Sequence, residues 1–149
     1  MANTYTQIFY HIVFGTKERR PLIRDERRDD FLRFVWGINK NMNCHLHRVN
    51  AVEDHIHILT AIHPTVALAD YIKRVKTGTT HWIQTDNVFP HWSGWQDGYA
   101  AFTLSVRERE PVIEYIKGQQ EHHRTESFVE EYKRILVREE IDFDEQYVL

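Results

Sequence analysis

The order of strand-like and helix-like segments is the feature that most constrains what this chain can fold into. Runs rich in β-branched and aromatic residues predict four strands, at residues 5–14, 44–52, 55–62 and 99–105. Apolar residues at helical spacing predict a helix over residues 25–43 and a second over residues 66–82. The first helix joins strands one and two, and the second joins strands three and four. The chain therefore follows the order β-α-β-β-α-β.

That order predicts an α+β, ferredoxin-like (split βαβ, RRM-like) fold with a four-stranded antiparallel sheet. The two crossover helices would lie on one face of the sheet, and Glu53 and Asp54 would form the tight turn between the second and third strands. Further helices are predicted from Pro111 onward and over residues 128–137. A short loop around residues 106–111 would precede the first of them. Such a sheet leaves its other face free for a ligand such as RNA or DNA.

Length and composition favour one globular domain over residues 1–149. The chain has 149 residues, of which 42% are hydrophobic and 28% charged, so it is neither fibrous nor disordered. Its apolar runs are far shorter than the roughly 20 residues that cross a membrane, and no signal peptide is recognisable. Cys44 is the single cysteine, which excludes an internal disulfide. A cytoplasmic location is the resulting expectation.

Charge is distributed unevenly along the chain. Residues 1–90 hold 12 lysines and arginines against 9 acidic residues, whereas residues 91–149 hold 7 against 13. The net charge of −3 therefore arises from an acidic helix and tail that begin at about residue 126. These acidic residues are expected to form a solvated helix face and tail. The acidity consequently does not exclude a nucleic-acid partner for the first two-thirds of the chain.

The chain contains ten histidines, and the most informative are His55 and His57 in the third predicted strand. Residues two apart on a strand project from the same face, so two imidazoles here would lie side by side. Such a pair supplies two ligands of a metal site that lacks a third. Two ordinary half-buried histidines are the alternative. His45 and His47 repeat the spacing on the preceding strand, so spacing alone does not decide between the pairs.

Tyr115 and Gln119 are four residues apart in a predicted helix and would share one helix face. A phenol beside an amide oxygen is useful if the tyrosine is a nucleophile and the amide is a metal ligand. The alternative for Tyr115 is a packed aromatic side chain. His122 and His123 follow one turn later, and we interpret them as a cap at the helix C-terminus rather than as part of the same site.

These motifs resemble those of the single-tyrosine transposases of the HUH endonuclease superfamily. That family comprises the transposases of minimal insertion sequences (IS200-like) and their repeat-associated relatives. The resemblance extends over nearly the whole chain and is carried by five segments in the family's order. They are Tyr10-His11-Ile12-Val13-Phe14-Gly15-Thr16-Lys17, Asp54-His55-Ile56-His57, Ile72-Lys73-Arg74-Val75-Lys76, Trp95-Gln96-Asp97-Gly98-Tyr99, and Tyr115-Ile116-Lys117-Gly118-Gln119 followed by His122-His123.

The resemblance implies a transposase that nicks and rejoins single-stranded DNA at hairpin-bearing ends. By analogy with the family, His55, His57 and Gln119 would hold Mg²⁺ or Mn²⁺ against the scissile phosphate. Tyr115 would attack the phosphorus, release a 3′-hydroxyl and form a 5′-phosphotyrosine intermediate. The family also implies a homodimer, in which the tyrosine helix can complete the active site of the partner in trans.

Basic and aromatic residues are candidates for contacts with the DNA. Cations that neutralise phosphates need only be suitably placed, and the candidates are Lys17, Arg19, Arg20, Lys73, Arg74 and Lys76. Trp92, Trp95 and Tyr99 could stack on unpaired bases, although loop aromatics that hold the fold together are the preferred interpretation.

Two other functions remain open from the sequence. A zinc-dependent hydrolase would use His55 and His57 with a third histidine, drawn from His45, His47 or His122. A non-catalytic single-stranded nucleic-acid-binding module would use the open sheet face and would not need the histidines or Tyr115.

Overall fold

The computed structural model describes residues 3–149, and its centre is a four-stranded antiparallel sheet. The strands are β1 (Phe9–Gly15), β2 (His45–Val52), β3 (His55–Ala61) and β4 (Ala100–Leu104). They lie in the order β2-β3-β1-β4, so β3 and β1 are the central strands. This arrangement confirms the predicted α+β, ferredoxin-like fold with its four-stranded antiparallel sheet.

Within residues 3–149, five helices accompany the sheet. They are α1 (Arg28–Asn41), α2 (Leu68–Thr85), α3 (Val106–Lys117), α4 (Gln119–His122) and α5 (Phe128–Arg138). Two 3₁₀ turns, Lys17–Arg19 and Asp25–Arg27, lie between β1 and α1. Among the described residues, no helix combines the length and the apolar character that crossing a membrane requires.

Alternation along the central strands sends side chains to opposite faces of the sheet. On one face, Ile12 and Phe14 of β1 and Ile56 and Ile58 of β3 pack against α1 and α2 in the largest apolar cluster. On the other face lie His55 and His57, together with neighbouring side chains of β1. One face of the sheet therefore carries the largest apolar cluster, and the other carries the two buried histidines.

The second face of the sheet is not free, and this corrects the sequence-based expectation. Val13 and Phe102 pack against Phe128 and Ile135 of α5. On the same face, Leu59 of β3 packs with Ile116 of α3 in a separate apolar cluster. The amphipathic C-terminal helices bury their apolar sides here, which explains why they cover the face that other ferredoxin-like sheets leave open to ligands.

Helix α3 begins five residues before Pro111, where the sequence predicted a loop. The backbone N–H of Ser105 donates to Glu108 Oε1 at 2.9 Å, which is half of a capping box that starts the helix. Pro111 consequently lies inside α3, where it forgoes one backbone hydrogen bond rather than occupying the first turn. Only Ser105 separates β4 from α3.

Candidate active site

His55 and His57 project from the same face of the central strand β3 and are fully buried. A partner holds the Nδ1 atom of each imidazole. His55 Nδ1 lies 2.7 Å from Asp54 Oδ1, and His57 Nδ1 lies 2.9 Å from His11 Nε2. The carboxylate of Asp54 accepts the Nδ1 proton of His55, so in the neutral ring Nε2 keeps a free lone pair. Both Nε2 atoms face the C-terminal helices.

Tyr115 and Gln119 approach these histidines from the helix above the sheet. The helix is interrupted at Gly118, so Tyr115 lies in the last turn of α3 and Gln119 begins α4. The ring centroids of Tyr115 and His57 are 5.8 Å apart, and Gln119 Oε1 lies 3.4 Å from His55 Nε2. A single chain therefore brings all four residues of the predicted catalytic and metal site together.

Asn50 on β2 fixes the interrupted helix to the sheet. Its Nδ2 donates to the backbone carbonyl of Ile116 at 2.8 Å, next to Tyr115 in sequence. Gln120 Nε2 donates to Asn50 Oδ1 at 2.8 Å and to the carbonyl of Ala51 at 3.0 Å. These bonds satisfy carbonyls at the helix break, and they set the height of Tyr115 and Gln119 above β3.

Two further residues, His123 and Glu131, belong to the same cluster and were not predicted. Glu131 Oε1 lies 3.2 Å from the Nε2 atoms of both His55 and His57, and 3.0 Å from His123 Nε2. Glu131 is fully buried, so it is not part of a solvated helix face. His123 is the C-cap residue of α4, as interpreted from the sequence, but its imidazole also points into the cluster, which the sequence did not predict.

A sequence signal for Glu131 does exist in α5. Phe128, Tyr132 and Ile135 define the buried stripe of this helix, and Glu131 is three residues after the first of them. An acidic residue at that spacing lies on the apolar face. A carboxylate in such a position needs a buried partner, and the histidines of β3 provide it.

The Tyr115 hydroxyl is held between an acid and a base of α5. It donates a hydrogen bond to Glu131 Oε2 and accepts one from Arg134 Nη2 at 2.8 Å. Arg134 Nε in turn donates to Glu126 Oε2 at 3.0 Å, and His122 Nε2 lies 2.5 Å from Glu126 Oε1. Tyr115 is therefore neither an isolated core aromatic nor a free surface phenol.

Burial and the Glu131 carboxylate set the protonation states of the site. Burial lowers the pKa of His57 to about 4, and it lowers the pKa of His11 to about 3. Burial also opposes the charged form of His55, but hydrogen bonds to Asp54 and Glu131 outweigh it and raise the pKa. Burial, reinforced by the charge of Glu131, raises the pKa of Tyr115. The resting site thus holds a protonated phenol beside neutral His57.

The donor set fits a divalent metal ion. One atom each of His55, His57, His123 and Glu131 can be chosen so that all four lie within 4.8 Å of one another. Gln119 Oε1 is 2.8 Å from His123 Nε2 and adds an amide oxygen. Imidazole nitrogen and carboxylate oxygen are ligands of divalent transition metals, and the Nδ1 contacts described above orient the rings as metal-binding histidines require.

His45 and His47 do not belong to this cluster. His45 pairs with Ala61, which is the end of β3 opposite His55. His47 lies at an irregularity in the pairing of β2, and its ring packs edge-on against Phe9. The imidazole that joins His55, His57 and Glu131 in one group of potential metal ligands is His123, whereas His122 lies beside Glu126 and the other oxygen of Glu131.

The predicted DNA-contacting cations lie in two places. Lys17, Arg19 and Arg20 are exposed on the turn that follows β1, and Lys73 and Arg74 are exposed on α2. The turn is close to the site, because the backbone N–H of the preceding residue, Thr16, donates to the carbonyl of Asp54 at 2.9 Å. Helix α2, in contrast, lies on the apolar side of the sheet.

Lys76 has a structural partner. Its ammonium donates to the backbone carbonyls of Gln96, Asp97 and Gly98 at 2.7, 3.3 and 2.9 Å. Burial lowers the pKa of Lys76. The charge therefore holds the 96–98 loop, and it is not a free cation like those of its neighbours on α2.

The loop aromatics divide in the same way. Trp95 is buried, stands edge-on to Phe14 with centroids 5.0 Å apart, and donates from Nε1 to Thr79 Oγ1 at 2.9 Å. Trp92 packs edge-on against Trp95 at 4.8 Å. These two residues hold the loop to the core, as preferred from the sequence, while Tyr99 is exposed.

The fold is similar to that of two solved structures. It is similar to the crystal structure of a protein from Deinococcus radiodurans R1 described as a transposase, with a TM-score of 0.61 and 24% identity, covering 80% of this chain and 96% of that one. It is also similar to a REP-associated tyrosine transposase bound to a REP hairpin, with a TM-score of 0.57 and 14% identity, covering 83% and 74% of the two chains. These likenesses show a shared fold.

The family follows from the sequence match. Residues 4–119 match the model of the IS200-like transposases, and the chain belongs to this family. The ISDra2 transposase TnpA of Deinococcus radiodurans is 23% identical over 120 residues, which cover 76% of this chain and 84% of that protein. The resemblance drawn from the motifs is thereby confirmed, and the chain is a DNA transposase. The family match ends at Gln119, so His123 and Glu131 lie beyond it.

Proposed function

We propose that this transposase nicks and rejoins single-stranded DNA at hairpin-bearing ends, with Tyr115 as the nucleophile. The observation that carries the proposal is the position of the Tyr115 hydroxyl. It contacts Glu131, whose other oxygen contacts the Nε2 atoms of His55 and His57. A phenol next to a potential metal site is the arrangement that a tyrosine attack on a phosphodiester requires.

In the proposed reaction, Tyr115 Oη forms a bond to phosphorus and the bond from phosphorus to the 3′ oxygen breaks. The product is a 5′-phosphotyrosine and a free 3′-hydroxyl, and attack by another 3′-hydroxyl reverses the step. Because the pKa of Tyr115 is raised, its proton must leave during the attack. Glu131 Oε2 is the acceptor in contact with it, and Arg134 Nη2 stabilises the developing charge on the phenol oxygen.

We propose that His55, His57 and Gln119 hold a Mg²⁺ or Mn²⁺ ion in this site. When bound, such an ion polarises the scissile phosphate and neutralises negative charge that develops during the transfer. The geometry supports the proposal, since His55 and His57 belong to one group of potential metal ligands and Gln119 Oε1 lies 3.4 Å from His55 Nε2.

The DNA would reach Tyr115 through a cleft beside α3. A cavity of about 520 Å³ opens there, and its wall includes His11, Phe102, Pro111, Tyr115 and Arg138. We propose phosphate contacts for Lys17, Arg19, Arg20, Lys73 and Arg74, which are exposed, and a loop-holding role for Lys76. The structural neighbour bound to a REP hairpin supports a hairpin as the ligand.

The family resemblance also leads us to propose a homodimer that acts in the cytoplasm. We infer, however, that each Tyr115 serves the histidines of its own chain. Only Ser105 separates β4 from α3, and Asn50 ties α3 to β2, so little chain is available to swing the tyrosine toward another subunit.

The test is incubation with a labelled hairpin oligonucleotide that carries a single-stranded flank, in the presence of Mn²⁺. We expect a covalent protein–DNA adduct that survives denaturation and is absent from Tyr115→Phe. Tyr147→Phe, which changes an exposed tyrosine of the tail, is the matched control and should form the adduct normally. An equal adduct in Tyr115→Phe would refute the assignment of the nucleophile.

Mixing two inactive variants tests the assignment of the tyrosine to its own chain. Tyr115→Phe and His57→Ala would each be inactive, and we expect their mixture, after subunit exchange, to remain inactive. Recovery of adduct formation in the mixture would show that the tyrosine acts in trans.

The cluster of three histidines is also compatible with the alternative function, a zinc-dependent hydrolase, in which His123 would be the third imidazole ligand. That function predicts product release without an adduct, activity that survives Tyr115→Phe, and loss of activity with a zinc-selective chelator. The non-catalytic alternative loses its main support, because α3 and α5 cover the sheet face on which it depends.

A further inference from the structure

We propose that His123 and Glu131 are themselves metal ligands beside His55, His57 and Gln119, so that the site offers three imidazoles and one carboxylate besides the amide oxygen and selects Mn²⁺ over Mg²⁺. This inference deepens the proposed function, on which it rests, by assigning residues beyond the segment that matches the family. It also decides between the two ions that the resemblance leaves open.

The hydrogen bonds behind the rings provide the first reason. His123 Nδ1 lies 2.7 Å from the backbone carbonyl of Glu126, and His55 Nδ1 lies 2.7 Å from Asp54 Oδ1. Both partners are acceptors only, so they fix the Nδ1–H tautomers of the neutral rings and leave lone pairs on Nε2. These lone pairs point at Glu131 Oε1, which is also an acceptor. One proton can relieve only one of these contacts, whereas a divalent cation at their centre relieves all of them.

The spacing of the donor atoms provides the second reason. The distances from Glu131 Oε1 to the three Nε2 atoms are 3.0 to 3.2 Å. Metal bonds to nitrogen and oxygen are about 2.0–2.2 Å long, so ligands bound at right angles lie about 3.0 Å apart and those at a tetrahedral angle about 3.4 Å apart. The cluster already has the spacing of neighbouring ligands around one ion.

The charge of Glu131 provides the third reason. Within residues 3–149, the ion pairs of this buried carboxylate are all with histidines, and none is with lysine or arginine. Arg134, the nearest cation of α5 in this network, is bound to Tyr115 and Glu126 instead. A buried carboxylate without a permanent cation is costly, and a bound metal ion removes that cost.

The ligand types determine the choice of ion. Mg²⁺ prefers oxygen ligands and keeps several waters, whereas imidazole nitrogens favour transition metals. Gln119 fits the same assignment, because its Nε2 donates to Glu131 Oε2 at 3.1 Å and leaves its carbonyl oxygen toward His123. A site with three imidazoles should therefore retain Mn²⁺ when Mg²⁺ is in large excess.

The experiment is a Mn²⁺ titration followed by EPR, performed on the full chain without DNA. We expect that about a hundredfold excess of Mg²⁺ leaves most of the bound Mn²⁺ in place. In Glu131→Gln and in His123→Ala, Mn²⁺ affinity should fall at least about tenfold, since losing even an outer partner of a ligand has that effect. Glu121→Gln, an exposed carboxylate of α4, is the matched control and should bind normally.

A second measurement uses the unaltered protein, so the proposal can be tested even if a variant does not fold. Nitrogen couplings in the pulsed EPR spectrum of the Mn²⁺-loaded protein should indicate three imidazoles, and two in His123→Ala. Two imidazoles in the unaltered protein, unchanged affinity in folded Glu131→Gln, or displacement of Mn²⁺ by equimolar Mg²⁺ would each overturn the proposal. None of these outcomes depends on DNA cleavage, so the ligand assignment and the Tyr115 reaction can fail separately.

Discussion

One face of the sheet buries aliphatic and aromatic side chains beneath α1 and α2, whereas the other buries histidines and a carboxylate beneath α3, α4 and α5. The buried polar side chains of the first face bond to one another and to backbone carbonyls. Tyr71 and Thr60 both donate to Asn39 Oδ1, at 2.8 and 3.0 Å. On the second face, by contrast, the Nε2 atoms of three histidines lie around one carboxylate oxygen of Glu131. The first face is built for stability and the second for a ligand.

The contrast shows how a small fold can carry a reactive site. Apolar burial on the α1–α2 face supplies most of the hydrophobic stabilisation, at about 25 cal/mol per Å² of apolar surface removed from water. Because this burial stabilises the fold, the opposite face can hold buried polar groups that contribute little to the free energy of unfolding. Such groups cost free energy when they are unpaired. Substitutions on the two faces should therefore separate stability from activity.

The largest effect on stability is expected on the apolar face. Phe31 of α1 is fully buried, and Phe31→Ala should lower the free energy of unfolding by about 3–5 kcal/mol, because it leaves a cavity. Urea denaturation measures this change. The adduct yield per folded molecule should stay normal, and a specific loss of adduct formation would break the proposed separation of the two faces.

Asn50 joins the two functions, since it ties α3 to the sheet at the site. Asn50→Ala removes the donor to the Ile116 carbonyl and should lower stability by about 1–3 kcal/mol. It should also reduce adduct formation in molecules that are folded, because Tyr115 is the residue before Ile116. Normal adduct formation would mean that α3 holds its position without this bond.

The N-cap of α5 offers a smaller and more local change. Ser127 Oγ accepts from the backbone N–H of Glu130 at 3.2 Å, and Ser127→Ala should cost about 0.5–2 kcal/mol. Fraying of the first turn of α5 would loosen Glu131, so Mn²⁺ affinity should fall together with the melting temperature. An unchanged affinity would indicate that apolar packing alone positions this helix.

The smallest effect on stability is expected for the exposed cations of α2. Arg74→Ala should change the free energy of unfolding by less than about 0.5 kcal/mol. If Arg74 contacts a phosphate, the variant should bind single-stranded DNA more weakly, with a salt-dependence slope lower by about 0.7. Arg33→Ala, an exposed cation of α1, is the control. Binding isotherms at several salt concentrations give the slope for each variant, and an equal slope for Arg74→Ala and Arg33→Ala would argue against a phosphate contact of Arg74.

Sequence periodicity predicted the elements because each one faces a core. The two-residue period of β3 predicted that His55 and His57 share a face, and the helical period placed Tyr115 and Gln119 together. Ser105 and Glu108 have the spacing of a capping box, which marks the start of α3, whereas Pro111 is typical of a helix first turn and points to a later start.

The sequence did not predict which distant residues would meet across the sheet. Glu131 meets His55 only because α5 folds back over the face opposite α1 and α2, a tertiary arrangement that no local pattern encodes. The same reason explains His123, whose position after a helix end favoured a capping role. A glutamate within the apolar stripe of α5 was the available clue, and the acidity of the whole segment obscured it.

The most direct test of the account is to locate the covalent bond. The protein is incubated with a hairpin oligonucleotide and Mn²⁺, the adduct is digested with protease and nuclease, and the nucleotide-bearing peptide is sequenced by mass spectrometry. We predict a 5′-linked phosphodiester on Tyr115, in the peptide between Glu114 and Lys117. A nucleotide on any other residue, or cleaved DNA with no modified peptide, would contradict the assignment of Tyr115 as the nucleophile.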